Sequence, residues 1–399
     1  AMMPNVMYTS ESVTEGHPDK LCDQISDAIV DHFLSRDPQA RVRAECAISR
    51  AIVFIAARFA SEANIDFTRL ARKVIQRIGY DHPDFNPQSC SILTSPQVLP
   101  MKAADRFDEM ALSDNEIDAV AAGNQVTVFG FACNHTASLM PLPIALAHAM
   151  AQRLARVRQE RILPYVMPDA KVQVGVEFKK RTPSRVHSVT MDVHLRETKV
   201  PKADRVVEEI TRAVIEPVIS AEKVTFDKRT RVLINPEGAY AGGPMNHSGL
   251  TGRKNAVDTY GEYSRHSGKA LSGKDPMRID RIGVYAARYA AKNIVAAGLA
   301  GECEVALSYA TGETQPVTLM AQTNGTGRVD DARLTEALYS HFDFRPAAIL
   351  KQFRLRRLSG ESPTGFYQHL AAYGHFGRTD LDLPWERTDQ VEALQSAVK

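Results

Sequence analysis

Cysteine is scarce and scattered in this chain of 399 residues. The five (Cys22, Cys46, Cys90, Cys133, Cys303) lie far apart, are odd in number and include no Cys-x-x-Cys pair. That excludes a disulfide framework and the usual zinc-ligand spacing, and it fits a reducing, intracellular setting. A charge excess of either sign is missing as well. The 49 basic and 47 acidic residues leave a formal net charge of +2. Such a balance gives no broad nucleic-acid footprint, so any basic site has to be local. No apolar run reaches membrane length: Ile52 to Ala60 is interrupted by Arg58, and Leu139 to Met150 by Pro141 and Pro143. A secretory leader pattern is not visible, and Ala1 ahead of Met2-Met3 reads as an addition to a natural start. The expected setting is the cytoplasm, with neither nucleic acid nor membrane as a partner.

What is present is ordinary globular material, 44% apolar and 24% charged, in a chain long enough for two or three cores. One stretch stands apart: Ser264 to Arg281, with Lys269, Lys274 and Arg278 as cations, Asp275 and Asp280 as carboxylates, and Pro276 placed to start a helix that runs on from Ile279 to Leu299. Cations beside helix-start N–H groups suit a polyphosphate, and nearby carboxylates suit its Mg²⁺. The plain alternative is a solvated loop capping a helix. Gly268 to Asp275 also fits Gly-x-x-x-x-Gly-Lys, but Asp275 stands where a P-loop needs Ser or Thr, and the preceding residues are polar and tyrosine-rich. The P-loop match is therefore rejected.

Taken in order, the chain predicts a helix led by Pro18 with Leu21, Ile25, Ile29 and Phe33 as its buried stripe. Strands near 41–49 and 51–59, a helix near 66–78 and a short strand near 90–93 follow. After a strand over 126–132, the order recurs: helix 143–159, strands 171–178 and 186–195, helix 203–218, strand 231–234. The third pass has helix 279–299, strands 302–309 and 317–323, and helix 331–342. The fold class expected is α+β, with three similar sheet-and-helix domains and approximate internal threefold symmetry, divided at 1–102, 118–236 and 237–399. Glycine-rich loops between the units, above all 235–254, are where functional residues are expected to gather.

The residues then become recognisable. Thr9-Ser-Glu-Ser-Val-Thr-Glu-Gly-His-Pro-Asp-Lys20, Gly242-Gly-Pro-Met245, Gly249-Leu-Thr-Gly-Arg-Lys254, Val257-Asp-Thr-Tyr-Gly261, Ser272-Gly-Lys-Asp-Pro276, Ala372-Tyr-Gly-His-Phe-Gly-Arg378 and Pro384-Trp-Glu386 occur in one order along nearly the whole length. In these segments the chain resembles the S-adenosylmethionine synthases. The resemblance implies a homodimer or homotetramer with active sites between subunits, and a reaction in which the thioether of L-methionine attacks the ribose 5′ carbon of ATP and expels triphosphate, which is then hydrolysed. By residue matching it implies His17 as donor to the leaving oxygen and Lys171, Arg253, Lys254 and Lys274 as triphosphate holders. Asp169 and Tyr240 join the ATP contacts, Asp19 and Asp280 hold Mg²⁺, and Glu45 meets K⁺.

Departures from the family pattern gather at the amino-acid end. Arg58 replaces a glutamate, Asn124 an aspartate and His247 another aspartate; Arg278 replaces a lysine, and Gln97 keeps its type in a loop that aligns poorly. These five are the expected substrate-side contacts. A cation such as Arg58 would repel an ammonium in a closed site. The sequence therefore leaves open an adenosyl transfer to a different nucleophile, or a non-catalytic regulatory homologue, beside the S-adenosylmethionine synthase reading.

Overall fold

The computed structural model describes residues 6–398. Among them run the strands β1 (Val6–Val13), β2 (Arg41–Ser49), β3 (Ile52–Ala60), β4 (Ser91–Val98), β5 (Val126–Cys133), β6 (Val166–Lys179), β7 (Thr182–Leu195), β8 (Arg231–Ile234), β9 (Gly249–Leu250), β10 (Glu302–Tyr309) and β11 (Thr318–Gln322). They form three sheets, ordered β4-β3-β2-β9, β1-β6-β7-β8 and β11-β10-β5. Each sheet is built around one of the three hairpins read from the sequence and takes a further strand from another stretch of chain. β9 joins β2, β1 joins β6 over Val6↔Phe178 to Val13↔Lys171, and β5 joins β10. The result is an α+β protein of three sheet-and-helix domains. No helix among the described residues is long and apolar enough to cross a membrane.

The local rules are visible in the strands. In β2, Val42, Ala44, Cys46 and Ile48 turn inward while Arg43 and Glu45 turn out, the period-two alternation of a half-buried sheet. One core lies where helices Pro18–Leu34 and Ile279–Ala296 pack on the first and third sheets; a second lies under helix Leu142–Gln159 against β1, β6 and β7. β1 itself was not expected as a strand. Its inward positions include Ser10 and Ser12, so it lacks the apolar alternation that marks a strand. Ser12 is accommodated by a hydrogen bond to His148 Nδ1 at 2.8 Å. β4 also runs five residues beyond the short strand expected, to Val98. Pro276 does not start the following helix, which begins at Ile279 with Arg278 as its N-cap. Asp275 explains this: its carboxylate accepts the N–H groups of Met277 and Val42, holding Pro276 in a turn.

Helix Pro18–Leu34 carries the contact system that positions the site. Asp19, Asp23, Asp27 and Asp31 recur every four residues, so they share one face, and all four are buried. Each accepts hydrogen bonds from backbone N–H groups of a distant loop. Asp19 takes Leu250 at 3.0 Å, Asp23 takes Gly252 at 2.8 Å, and Asp27 takes Gly273 at 2.8 Å. Asp31 takes Phe366, Tyr367 and Gln368. Asp27 also holds the fully buried Arg281 through two hydrogen bonds of 2.7 and 3.1 Å. At Gly273 (φ +82°) a Cβ would run into the Ala44 carbonyl, so the Ser272-Gly-Lys274 turn fits only as glycine.

Removing one partner of a buried ion pair strands the other charge, at a cost of about 3–5 kcal/mol. Asp27→Ala is therefore expected to lower stability by about that amount in urea unfolding, whereas an exposed acid such as Glu361→Ala should change it little.

Candidate active site

His17 occupies the N-cap of helix Pro18–Leu34, and its Nδ1 accepts the Asp19 backbone N–H at 3.1 Å. Gly16 lets this turn press against Pro168, where any Cβ would overlap the backbone, and Tyr80 donates its hydroxyl to the Gly16 carbonyl. The tight approach brings His17 beside Asp169 in β6. Asp169 is fully buried; its Oδ2 accepts Gly243 N–H at 2.7 Å and lies 2.6 Å from His247 Nε2. The His17 and His247 rings meet edge to face at 5.1 Å. Asp19 is the second anchor: Lys254 Nζ lies 2.7 Å from its Oδ2, and Arg253 approaches Oδ1 at 3.8 Å.

A cleft of about 520 Å³ opens above Asp169, and its walls include His17, Asp19, Lys171, His247, Arg253 and Lys254. Its floor is the polar face of the second sheet, with Glu11 from β1, Gln173 from β6, and Thr190 and Asp192 from β7. Lys171 projects from β6, which has neighbours on both sides and is no edge strand; its Nζ lies 5.4 Å from the Tyr240 ring centroid. Burial is the largest influence on the His17 ring and lowers its pKa to about 4, with Lys254 acting in the same sense and Asp169 against it. Burial alone would raise the Asp19 carboxyl, but Lys254 and the Leu250 N–H outweigh it and hold Asp19 below its usual range. The cleft thus contains a neutral imidazole among fixed cations. Because Nδ1 already accepts an N–H, the proton of the neutral ring sits on Nε2 and is available to donate.

A second group lies elsewhere on the chain. Lys274 is ion-paired with Asp280, whose Oδ1 is buried and has no hydrogen-bond partner. Burial lowers the Lys274 pKa despite Asp280, helped by Arg43 and Arg278 nearby. Lys274 also bridges to Arg43 on β2, which pairs in register with Arg58 on β3, itself in register with Gln97 on β4. Arg58 donates from Nε to Gln97 Oε1 at 2.7 Å. Glu45, 61% exposed, is bonded to Arg43 at 3.0 Å. Asn124 stands half-buried in the loop ahead of β5. None of Glu45, Arg58, Gln97, Asn124, Lys274, Arg278 or Asp280 lines the cleft around His17. The expected site residues therefore fall into two sets on one chain. Sequence reading missed the positioning acids Asp23 and Asp27; their four-residue spacing from Asp19 was the available signal.

The tautomer gives a direct check. Ring ¹⁵N shifts of His17 should report a neutral, Nε2-protonated imidazole from pH 8 down to pH 5, with protonation only near pH 4. A ring titrating at the ordinary histidine pKa would contradict the burial seen here.

Comparison with known proteins bears on the whole chain. Its residues 5–98, 119–240 and 241–387 match the N-terminal, central and C-terminal domain models of S-adenosylmethionine synthetase. Among similar proteins are the S-adenosylmethionine synthases of Trichodesmium erythraeum, 46% identical with 99% of this chain and 98% of the relative covered, and of Crocosphaera subtropica, 46% identical with 100% and 99% covered. That of Microcystis aeruginosa is 46% identical with both chains fully covered. Three domain models in sequence and full-length relatives at this identity place the chain in the S-adenosylmethionine synthetase family.

Proposed function

We propose that the protein is a methionine adenosyltransferase that makes S-adenosylmethionine from ATP, L-methionine and water, releasing phosphate and pyrophosphate. The observation that carries this reading is the buried His17, its Nδ1 taken by the Asp19 N–H, set in one cleft with Lys171, Arg253 and Lys254. In the first step the methionine sulfur forms a bond to the ribose 5′ carbon as the bond from that carbon to the triphosphate oxygen breaks. Negative charge grows on the departing oxygen, so a preplaced donor and fixed cations stabilise the transition state more than the ground state. His17 donates to that oxygen, while Lys171, Arg253, Lys254 and Lys274 hold the phosphates. Tyr240, with Lys171 over its ring, flanks the nucleotide, and Asp169 acts from beneath through Gly243 and His247.

The carboxylates fit Mg²⁺, a hard cation that takes oxygen ligands. Asp280 keeps a buried oxygen with no partner, and Asp19 is held ionised. When bound, Mg²⁺ would neutralise part of the triphosphate charge. Glu45 is the position matched to K⁺, yet a single exposed carboxylate already bonded to Arg43 does not make a cation site within one chain.

The two sets of residues come together if the active site forms between two copies. The outer face of the first sheet supports that arrangement. Ile52, Phe54, Leu93 and Leu250 are exposed on it, and Arg58 and Gln97 lie on the same sheet. Pairing this face in a homodimer, or in dimers joined into a tetramer, would bring the Lys274 and Arg58 sets of one subunit toward the His17 cleft of the other. Gln97, Asn124, His247 and Arg278 then complete the methionine side with Arg58. ATP and methionine are the small-molecule partners, and the cytoplasm is the setting.

Two measurements test this reading. Mass spectrometry of ATP, Mg²⁺, K⁺ and protein should show S-adenosylmethionine only when L-methionine is added, and His17→Ala should lower kcat by about 100- to 1,000-fold. ATP consumption without that product would overturn the choice of acceptor. Phe54→Glu, which puts a charge into the apolar sheet face, should shift sedimentation toward the monomer and abolish turnover; an active monomer would overturn the shared site.

A further inference from the structure

We infer that His17, Asp169 and His247 form a binding site for a borderline divalent transition-metal ion such as Zn²⁺, distinct in its donors from the carboxylates matched to Mg²⁺. One ligand atom from each of the three lies within 4.8 Å of those of the other two. His17 comes from a helix N-cap, Asp169 from β6 and His247 from the glycine-rich loop, so three separate elements converge on one point. Two are buried, and His247 is half-buried at the cleft wall.

The donor set decides the class of ion. Two imidazoles and one carboxylate suit Zn²⁺, Co²⁺ or Ni²⁺, whereas Mg²⁺ prefers all-oxygen surroundings. Three protein ligands beside an open cleft leave a fourth position free for water or a phosphate oxygen. An independent observation points the same way: Asp169 is fully buried, yet its Oδ1 has no hydrogen-bond partner. An unmet carboxylate oxygen is costly in the interior, and a cation held beside it would meet the need. Bonds of about 2.0–2.1 Å to Zn²⁺ put tetrahedral ligand atoms about 3.3 Å apart. The set therefore has to tighten at its widest side and open slightly at the 2.6 Å His247–Asp169 contact. His247 sits on a loop and can supply that movement. His17 must exchange its bond to the Asp19 N–H for one to the neighbouring carboxylate, whose Oδ2 lies 3.9 Å from Nδ1. A metal-bound histidine commonly donates its second N–H to a carboxylate in this manner.

Occupancy of this site would take His17 out of the cleft's donor set. Such an ion should inhibit ATP turnover, and ATP should compete with it. The site itself does not depend on the proposed reaction, because it can be read by binding alone.

The experiment is metal binding to the full chain, with Mg²⁺ in excess and without ATP. Co²⁺ should bind at one ion per chain with the visible absorption of a low-coordinate nitrogen-oxygen site, and zinc-edge anomalous diffraction should place one peak between His17, Asp169 and His247. His247→Asn and Asp169→Asn should each weaken binding by at least about tenfold, while Asp280→Asn leaves the anomalous peak in place. The inference is overturned if the wild-type protein binds no Zn²⁺ under Mg²⁺ excess, if the peak falls at Asp19 or Asp280 instead, or if His247→Asn binds as tightly as wild type.

Discussion

The structure depends on one ladder of buried carboxylates. Asp19, Asp23, Asp27 and Asp31 descend a single helix face, and each is satisfied by the backbone of a loop more than 200 residues away in sequence. A buried carboxylate without partners would be driven to neutrality; with two or more N–H donors or a cation it stays in place and dictates where the loop must sit. The ladder thus fixes two glycine-containing turns, Gly249–Gly252 and Ser272–Lys274, and the Phe366–Gln368 segment against the first domain. Lys20 reinforces it from the same helix: burial would lower its pKa, but Asp23 and Asp258 outweigh that and raise it. Burial also pushes the Asp23 carboxyl up to about 7, against the opposing pull of Lys20.

The ladder does more than hold loops. Its top rung, Asp19, faces the cleft, so the arrangement that anchors Leu250 also sets Lys254 and Arg253 beside His17. Its third rung anchors Gly273 and Arg281, which positions their chain neighbours Lys274 and Asp280. Both clusters of residues are therefore referenced to a single helix. A displacement of that helix would move both, whereas a change in one loop would move one.

Much of this was legible in the sequence, and the reasons for the rest are physical. The hairpins β2–β3, β6–β7 and β10–β11 announce themselves by alternation, and the long helices by their apolar stripes. β1 was hidden because its inward residues are partly serines, whose partners cannot be known before the fold brings His148 beside Ser12. The exchange of strands among sheets was equally invisible, since periodicity marks a strand without naming its neighbour. At the site, residue types and glycine-rich loops pointed to phosphate chemistry, and the family resemblance supplied roles. Spacing could not show that Asp169 would lie wholly buried under His247 rather than at the cleft surface, nor that Arg58 would be tied to Gln97.

The same architecture accounts for where this chain departs from its family pattern. His17, Asp19, Arg253, Lys254 and Lys274 are on the ladder, or bonded to it, or within a few residues of its tethered turns, so substitutions there disturb buried charge as well as chemistry. The departing positions are held differently. Arg58 lies on an exposed sheet face, Asn124 in a loop, Arg278 at a helix N-cap, and His247 on a glycine-rich loop above Asp169. Substitution at such places disturbs less buried charge than on the ladder, so under the proposed reaction folding constrains the acceptor side less than the phosphate side. Even there the changes are not independent of the scaffold. Arg58 takes Gln97 as a partner, and His247 takes Asp169. Both side chains are thereby accommodated by polar contacts within one chain, and under the proposed reaction Arg58 would bear on the acceptor from the outer face of the first sheet.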